Sequence, residues 1–251
     1  MKIFTFFTPA EMTGYDLESE TVIVIDVLRG TTTITAALKA GALKVIPVTE
    51  IDKGIMLADE MGHDNVILGG NYNHQDVDGF DKANSPLEYT LDSVQRKTLI
   101  YCSNSMGEAI NACRKARRII CACFNNLQAV LTAAKSLSTI NILCAGRNGR
   151  FSLEDTVLAG MIIHHLTGEI DTDTGLNDSS STARYLYYRH HRNILDTLKQ
   201  SAQGQHLEKI GFSNDIEYAA ALNTSNILPE LSLDKTHIIP TVNLKSMLPG
   251  H

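Results

Sequence analysis

The sequence predicts an α/β fold of three layers (α/β/α) around a mainly parallel or mixed sheet, with a more helical C-terminal portion. Three observations predict it. Apolar runs of five to seven residues alternate with helix-period segments through most of the chain. The helical segments are long enough for right-handed crossovers, which need about a dozen residues. The chain has 251 residues, 43% hydrophobic and 20% charged, which suits one or two globular domains and excludes a mainly disordered chain.

The strands are expected at 2–7, 21–26, 44–48, 65–69, 97–102, 117–122, 139–145 and 237–242, where each run is apolar and rich in Ile, Val, Leu or Phe. Helices are expected between them at 32–40, 51–61, 86–93, 106–115, 125–137 and 153–166. The polar segment 167–182, with Gly, Asp and Ser clustered, reads as a loop or boundary. The pattern then turns helical at 183–201 and 213–223. This divides the chain into an α/β core over 1–166 and a helical portion over 167–251 that returns to the sheet, or leaves the two as one continuous domain.

Charge and composition narrow the partners. Lys+Arg total 22 and Asp+Glu 28, a net charge of −6, and no block of five basic residues occurs. That argues against nucleic acid or an anionic membrane as the main partner. Zero Trp and 6% aromatics exclude the stacking surfaces of single-strand binders. The five cysteines at 102, 113, 121, 123 and 144 form no CxxC pair and fall in apolar stretches, so they read as reduced core residues of a cytoplasmic protein. The N-terminal apolar stretch, broken by Thr5 and ending at Pro9, is too short for a signal sequence, and no stretch approaches a membrane span.

Four strand-to-helix junctions carry the chemistry, because ligands of open parallel sheets bind at the carboxyl ends of strands. In the first, 22–38, Asp26 ends a strand, Arg29 and Gly30 turn, and Thr31, Thr32 and Thr33 open a helix. A carboxylate beside a guanidinium and a helix start suits a metal-bridged phosphate, with Asp26 on the cation and Arg29 forking the phosphate oxygens. An Asp26–Arg29 ion pair with a threonine cap suits the same residues equally. In the second, 79–89, Ser85 and Glu88 have capping-box spacing around Pro86, which leaves Asp81 and Asn84 as the functional candidates. In the third, 99–110, Ser105 and Glu108 have the same spacing, leaving Ser103 and Asn104 for either a binding role or a local turn. In the fourth, 141–160, Ser152 and Asp155 again fit a cap, Glu154 points elsewhere, and Arg147 and Arg150 bring positive charge to a Gly-containing loop. The adjacent pairs His164–His165 and His190–His191 diverge by about 100° on a helix, which argues against joint metal ligation. Nucleotide-loop and zincin motifs are absent from the sequence.

The strand VIDVLRGTTT, the loop GFDKANSP and the segment AGRNGRFSLEDTVLAG stand in this order, and together they resemble the 2-phosphosulfolactate phosphatase family. Echoes at 176–188 and 211–231 extend the likeness over nearly the whole chain. The resemblance implies an α/β fold and Mg²⁺-dependent hydrolysis of 2-phospho-3-sulfolactate, a small anionic phosphoester, on a route to coenzyme M. It implies Mg²⁺ on Asp26, with Asp81, Glu154 or Asp155 as further ligands, and Arg29 on the phosphoryl group. Asp26, Arg29, Asp81 and Glu154 are then the expected catalytic residues. Thr31, Thr32, Thr33, Asn84, Ser103, Asn104 and Arg147 are the expected substrate contacts, in a chain that could form a homodimer. Two loops depart from the family pattern: Gly70-Asn71-Tyr72 replaces Gly-Glu-Arg, and Cys102-Ser103-Asn104-Ser105-Met106-Gly107 replaces a T-T-N-G-T motif. They keep two alternatives open: another phosphorylated hydroxy acid as substrate, or a non-catalytic relative that binds an anion.

Overall fold

A computed structural model describes residues 1–72, 75, 77–168 and 175–242. The strands are β1 (Lys2–Phe6), β2 (Thr21–Ile25), β3 (Lys44–Val48), β4 (Val66–Gly70), β5 (Thr98–Cys102), β6 (Arg118–Ala122), β7 (Thr139–Cys144), β8 (Ile227–Leu231) and β9 (Ile238–Val242). The helices are α1 (Gly30–Lys39), α2 (Ile51–Met61), α3 (Leu91–Val94), α4 (Asn104–Ala112), α5 (Leu127–Ala134) and α6 (Leu153–Thr167), followed by α7 (Asp178–His190), α8 (Ile194–Gln200), α9 (Ala202–Lys209) and α10 (Ser213–Ala220). All strands join one sheet in the order β1-β7-β2-β6-β8-β9-β3-β5-β4.

The sheet is two parallel blocks joined by a hairpin. β1, β7, β2 and β6 pair in parallel, as do β3, β5 and β4. Between them the antiparallel β8–β9 hairpin meets β6 through Ile120 and Glu230 and meets β3 through Val45 and Ile238. A rule for one open parallel sheet therefore does not by itself bring the ends of β4 and β5 to those of β2 and β7. What does so is α1, buried from Gly30 to Leu38. Its Ile34, Ala37 and Leu38 share one core with Val22, Val24, Val45, Leu99, Tyr101 and Ile238, so strands of both blocks and the hairpin pack around it.

Alternation along the strands supplies the second helical layer. Ile23, Ile25, Ile120, Ile140 and Ile142 turn away from α1 and bury against Val130 of α5, Leu158 and Ile162 of α6, and Leu198 of α8. Ile100 and Cys102 do the same against α2 through Ala58. Each buried Ile or Leu contributes about 1.5–3 kcal/mol of apolar transfer. The α6–α7 contact is close enough to require Gly160, where an added Cβ would lie 2.0 Å from the Ala183 carbonyl oxygen. Gly160→Ala is expected to lower Tm by about 5 °C despite alanine's higher helix propensity, because overpacking of about 1–3 kcal/mol exceeds that gain; a thermal melt checks it.

Several elements differ from the sequence reading. β8 was not expected, because its run ILPEL is short and carries Pro229. The helix expected at 86–93 is a single 3-10 turn, Pro86–Glu88, followed by the four-residue α3. The segment expected as loop to residue 182 becomes helical at Asp178, where the Asn177 side chain accepts the Ser180 N–H; residues 169–174 of it lie outside the described residues. The helical stretch 183–201 is broken at Asn193, and α9 follows where no helix was expected. All five cysteines are free and buried, and burial pushes their thiols up, to about 11 for Cys102 and about 12 for Cys113. Among the described residues no helix is long and apolar enough to cross a membrane.

Candidate active site

The ends of β2, β4, β5 and β7 meet the start of α9 at one small cavity. Asp26, Arg29, Asn84, Arg147, Glu154 and Asp155 line it, together with Asn71, Ser105 and Gln203. Residues from every junction read in the sequence are thus brought to one place.

Asp26 leaves β2 and is held by backbone it helps to shape. Its Oδ1 accepts from Gly30 N–H at 3.3 Å, and its Oδ2 accepts from Ser105 Oγ at 2.7 Å, a bond that ties β2 to α4. The three threonines lie beneath the cavity. Thr31 and Thr32 donate their hydroxyls to the carbonyls of Asp26 and Val27, both at 2.8 Å, and Thr33 donates to the Asn84 carbonyl at 2.9 Å. They hold the loop's shape, and α1 begins tightly because of them.

Arg29 is 5% exposed and forms its ion pair with Asp215, itself 2% exposed. Ser85 Oγ donates to the other Asp215 oxygen at 2.6 Å, and the Arg29 guanidinium lies 4.6 Å from the centre of the Phe212 ring. The start of α10 and its N-cap thus set the direction of this arginine. Among the described residues, the Nε atoms of Arg29 and Arg147 and the Oε1 of Gln203 are buried without a hydrogen-bond partner. Buried donors without partners on cavity-lining residues suit an anionic group.

Glu154 and Asp155 follow Ser152, whose hydroxyl accepts from Asp155 N–H at 3.4 Å and caps α6. They play different parts. Asp155 accepts from Val27 N–H at 2.8 Å and from Gly146 N–H at 3.2 Å, so both its oxygens knit the β2 and β7 loops together. Glu154 is 4% exposed, with the hydroxyls of Ser152 and Ser201 as partners. Burial pushes both carboxyls above the usual range, and the charges of Asp26 and of each other add to this for Asp155, as Asp26 does for Glu154. Positive charge brought into the cavity would offset that crowding. The Arg147 loop turns sharply at Gly146, where an added Cβ would lie 2.4 Å from the Arg150 carbonyl oxygen.

The remaining expected residues divide. Asn84 is buried, accepts from the Tyr101 hydroxyl and donates to Asn71 Oδ1 at 3.2 Å, with its polar edge at the cavity. Asp81 is not among the cavity's lining residues; its Oδ2 accepts from Leu68 N–H at 2.8 Å and fastens the loop to β4. Ser103, not Ser105, is the N-cap of α4, accepting from Met106 N–H at 3.4 Å, so the helix starts two residues before the expected 106. That frees Ser105 for Asp26. Ser103 and Asn104 line an adjoining pocket with Asn71, Ser105, Glu108 and Asn148. Ser105, Gln203 and Asp215 were missed. Ser105 was assigned to a cap, and Gln203 and Asp215 sit on helices more than 170 residues from Asp26, where only the likeness over 211–231 marked Asp215.

Among the described residues no group of three or more His, Cys, Asp or Glu side chains is arranged to hold a metal. Both Asp155 oxygens accept backbone N–H groups and Asp81 does not line the cavity, whereas Asp26 accepts a backbone N–H at 3.3 Å and a hydroxyl that can turn away, so Asp26 and Glu154 are the carboxylates an ion there would reach. One or two carboxylates is the protein share that Mg²⁺ usually takes, the rest being water and substrate phosphate, so the donor set fits that ion.

The family model described as 2-phosphosulpholactate phosphatase matches residues 6–234. A protein of Caldanaerobacter subterraneus subsp. tengcongensis described as "Probable 2-phosphosulfolactate phosphatase" is 34% identical over 232 residues, covering 92% of this chain and 95% of its own. Proteins with the same description from Thermotoga maritima and Symbiobacterium thermophilum are 37% and 36% identical, over 86% and 88% of this chain and 90% and 93% of their own.

Proposed function

This chain belongs to the 2-phosphosulfolactate phosphatase family, and on that premise we propose that its cavity hydrolyses the phosphate ester of 2-phospho-3-sulfolactate to 3-sulfolactate and phosphate, with Mg²⁺. The family's named activity makes it a hydrolase of phosphoric monoesters. The observation that carries the reading to this cavity is that two arginines with buried, unpartnered Nε donors line it together with carboxylates. Arg29, aimed by Asp215, and Arg147 receive the phosphoryl oxygens with charge-assisted hydrogen bonds. Asn84 and Ser105 supply neutral polar contacts beside them. Asp26 and Glu154 would hold Mg²⁺, which when bound offsets phosphate charge and polarises the ester. Burial of the wall residues keeps these charges in a low dielectric, where each acts more strongly than in water.

A second reading, a different phosphorylated hydroxy acid as substrate, draws on one observation. The adjoining pocket is lined by amides and hydroxyls, and Glu108 is the charged residue among its described lining residues. A sulfonate seated there would meet a carboxylate and no arginine. Phosphate release from 2-phosphosulfolactate and from a panel of phosphorylated hydroxy acids, with Mg²⁺ and with chelator, tests both readings. The expected result is turnover that falls about 100-fold or more with chelator and returns with Mg²⁺. Activity indifferent to chelator would remove the metal. Phosphate binding with no ester turned over would make the chain a non-catalytic relative.

A further inference from the structure

Three residues lining the cavity carry buried polar atoms without partners, and these atoms are of opposite kinds. Arg29 Nε and Arg147 Nε donate, whereas Gln203 Oε1 accepts. Gln203 stands in the first turn of α9 and is 7% exposed. Two residues before it, Ser201 caps the helix, accepting from Gly204 N–H at 2.9 Å and donating to the Leu198 carbonyl at 2.8 Å, and it is close enough to lower the Glu154 carboxyl, so this turn lies against the cavity wall. A buried acceptor without a partner is unfavourable, and a bound group that donates to it removes the deficit.

An unprotonated phosphoryl group carries acceptors alone. It satisfies the two arginines and leaves Gln203 unmet. The carboxylate and sulfonate of the proposed ester are acceptors as well. The reactant that brings donors is water. We propose that Gln203 Oε1 holds the attacking water, accepting from one of its O–H groups so that an oxygen lone pair is left for phosphorus. The inference rests on the phosphatase reading above. In the step, the water oxygen bonds to phosphorus while the bond from phosphorus to the ester oxygen breaks, its electron pair going to that oxygen. One water proton ends on the released hydroxyl and the other stays with the phosphate, so ester and water become alcohol and phosphate. Gln203 is a positioning residue that gains and loses no proton.

The test measures kcat, KM, the inhibition constant of inorganic phosphate and Tm for the full chain carrying Gln203→Leu or Gln203→Glu. Gln203→Leu removes the acceptor at similar volume and is expected to lower kcat about 100-fold, with KM and phosphate inhibition within about twofold, as loss of orientation alone predicts. Gln203→Glu keeps an acceptor, so kcat should recover over Gln203→Leu while phosphate binds more weakly beside the added charge. Unchanged kcat in Gln203→Leu would overturn the proposal. So would weakened phosphate inhibition in Gln203→Leu with kcat retained, which would make the carboxamide a donor to phosphate. If Gln203→Leu does not fold, the near-isosteric Gln203→Glu decides: phosphate inhibition weakened and kcat down 100-fold would also overturn it. An unaltered chain that releases no phosphate from any ester defeats the phosphatase reading, and this inference with it.

Discussion

Asp26→Asn is expected to lower phosphate release about 10³-fold with Tm nearly unchanged, the scale of a lost charge contact to the transition state. The two effects separate because of how the side chain is held. An asparagine still offers Oδ1 to Gly30 N–H, and Ser105 can turn its hydroxyl to accept from the new amide instead of donating to a carboxylate. The loop therefore keeps its shape. What disappears is one of the two carboxylates available to a divalent cation, together with the negative charge that helps hold Glu154 and Asp155 above the usual carboxyl range. Steady-state phosphate release beside a thermal melt checks both halves. Undiminished turnover would take Asp26 out of the chemistry.

Asp215→Ala should act the other way, on stability and activity together. The substitution leaves the Arg29 guanidinium buried without its counter-charge and removes the acceptor of Ser85. Breaking a buried pair from one side costs about 3–5 kcal/mol, or about 10 °C in Tm for a chain of this length. Arg29 would also lose the contact that directs it, so phosphate binding should weaken. Replacing both partners, as Arg29→Met with Asp215→Leu, is expected to recover most of the melting temperature and none of the turnover, since an apolar pair of similar volume can substitute for a buried ion pair in the fold. A double variant as unstable as Asp215→Ala would count against this account of the pair.

The sequence carried the strands well where they were apolar, unbroken and followed by a polar turn, as at 21–26 and 139–145. It carried Asp26, Arg29 and Arg147 to one cavity because each sits within a few residues of a strand end, and Asn84, Glu154 and Asp155 because each sits at the helical start that follows a strand. The division of labour was not legible. Glu154 and Asp155 are adjacent and alike in type, and only the positions of Val27 and Gly146 decide which one is spent on backbone. Asp81 looked free because its partner, Leu68 N–H, belongs to a strand thirteen residues earlier. Ser105 fits a capping box with Glu108, whereas the cap is Ser103, whose third residue on is Met106 and carries no such signal. Gln203 and Asp215 lie in polar helical sequence whose inward face is set by packing among α8, α9 and α10, a tertiary property. The β8 strand escaped because Pro229 weakens the strand signal that its pairing with β9 restores.

The β8–β9 hairpin has a bearing on how this molecule comes into being. It is the portion of the sheet made last on the ribosome, yet it fills the gap between halves made long before. Until residue 242 has emerged, α1 lacks one of its walls, and the seam joining Asp26 to Ser105 lacks part of its support. A nascent chain arrested short of the hairpin should thus be bound by chaperones and open to protease at both halves, and assembly should be slow in the way that distant pairings are.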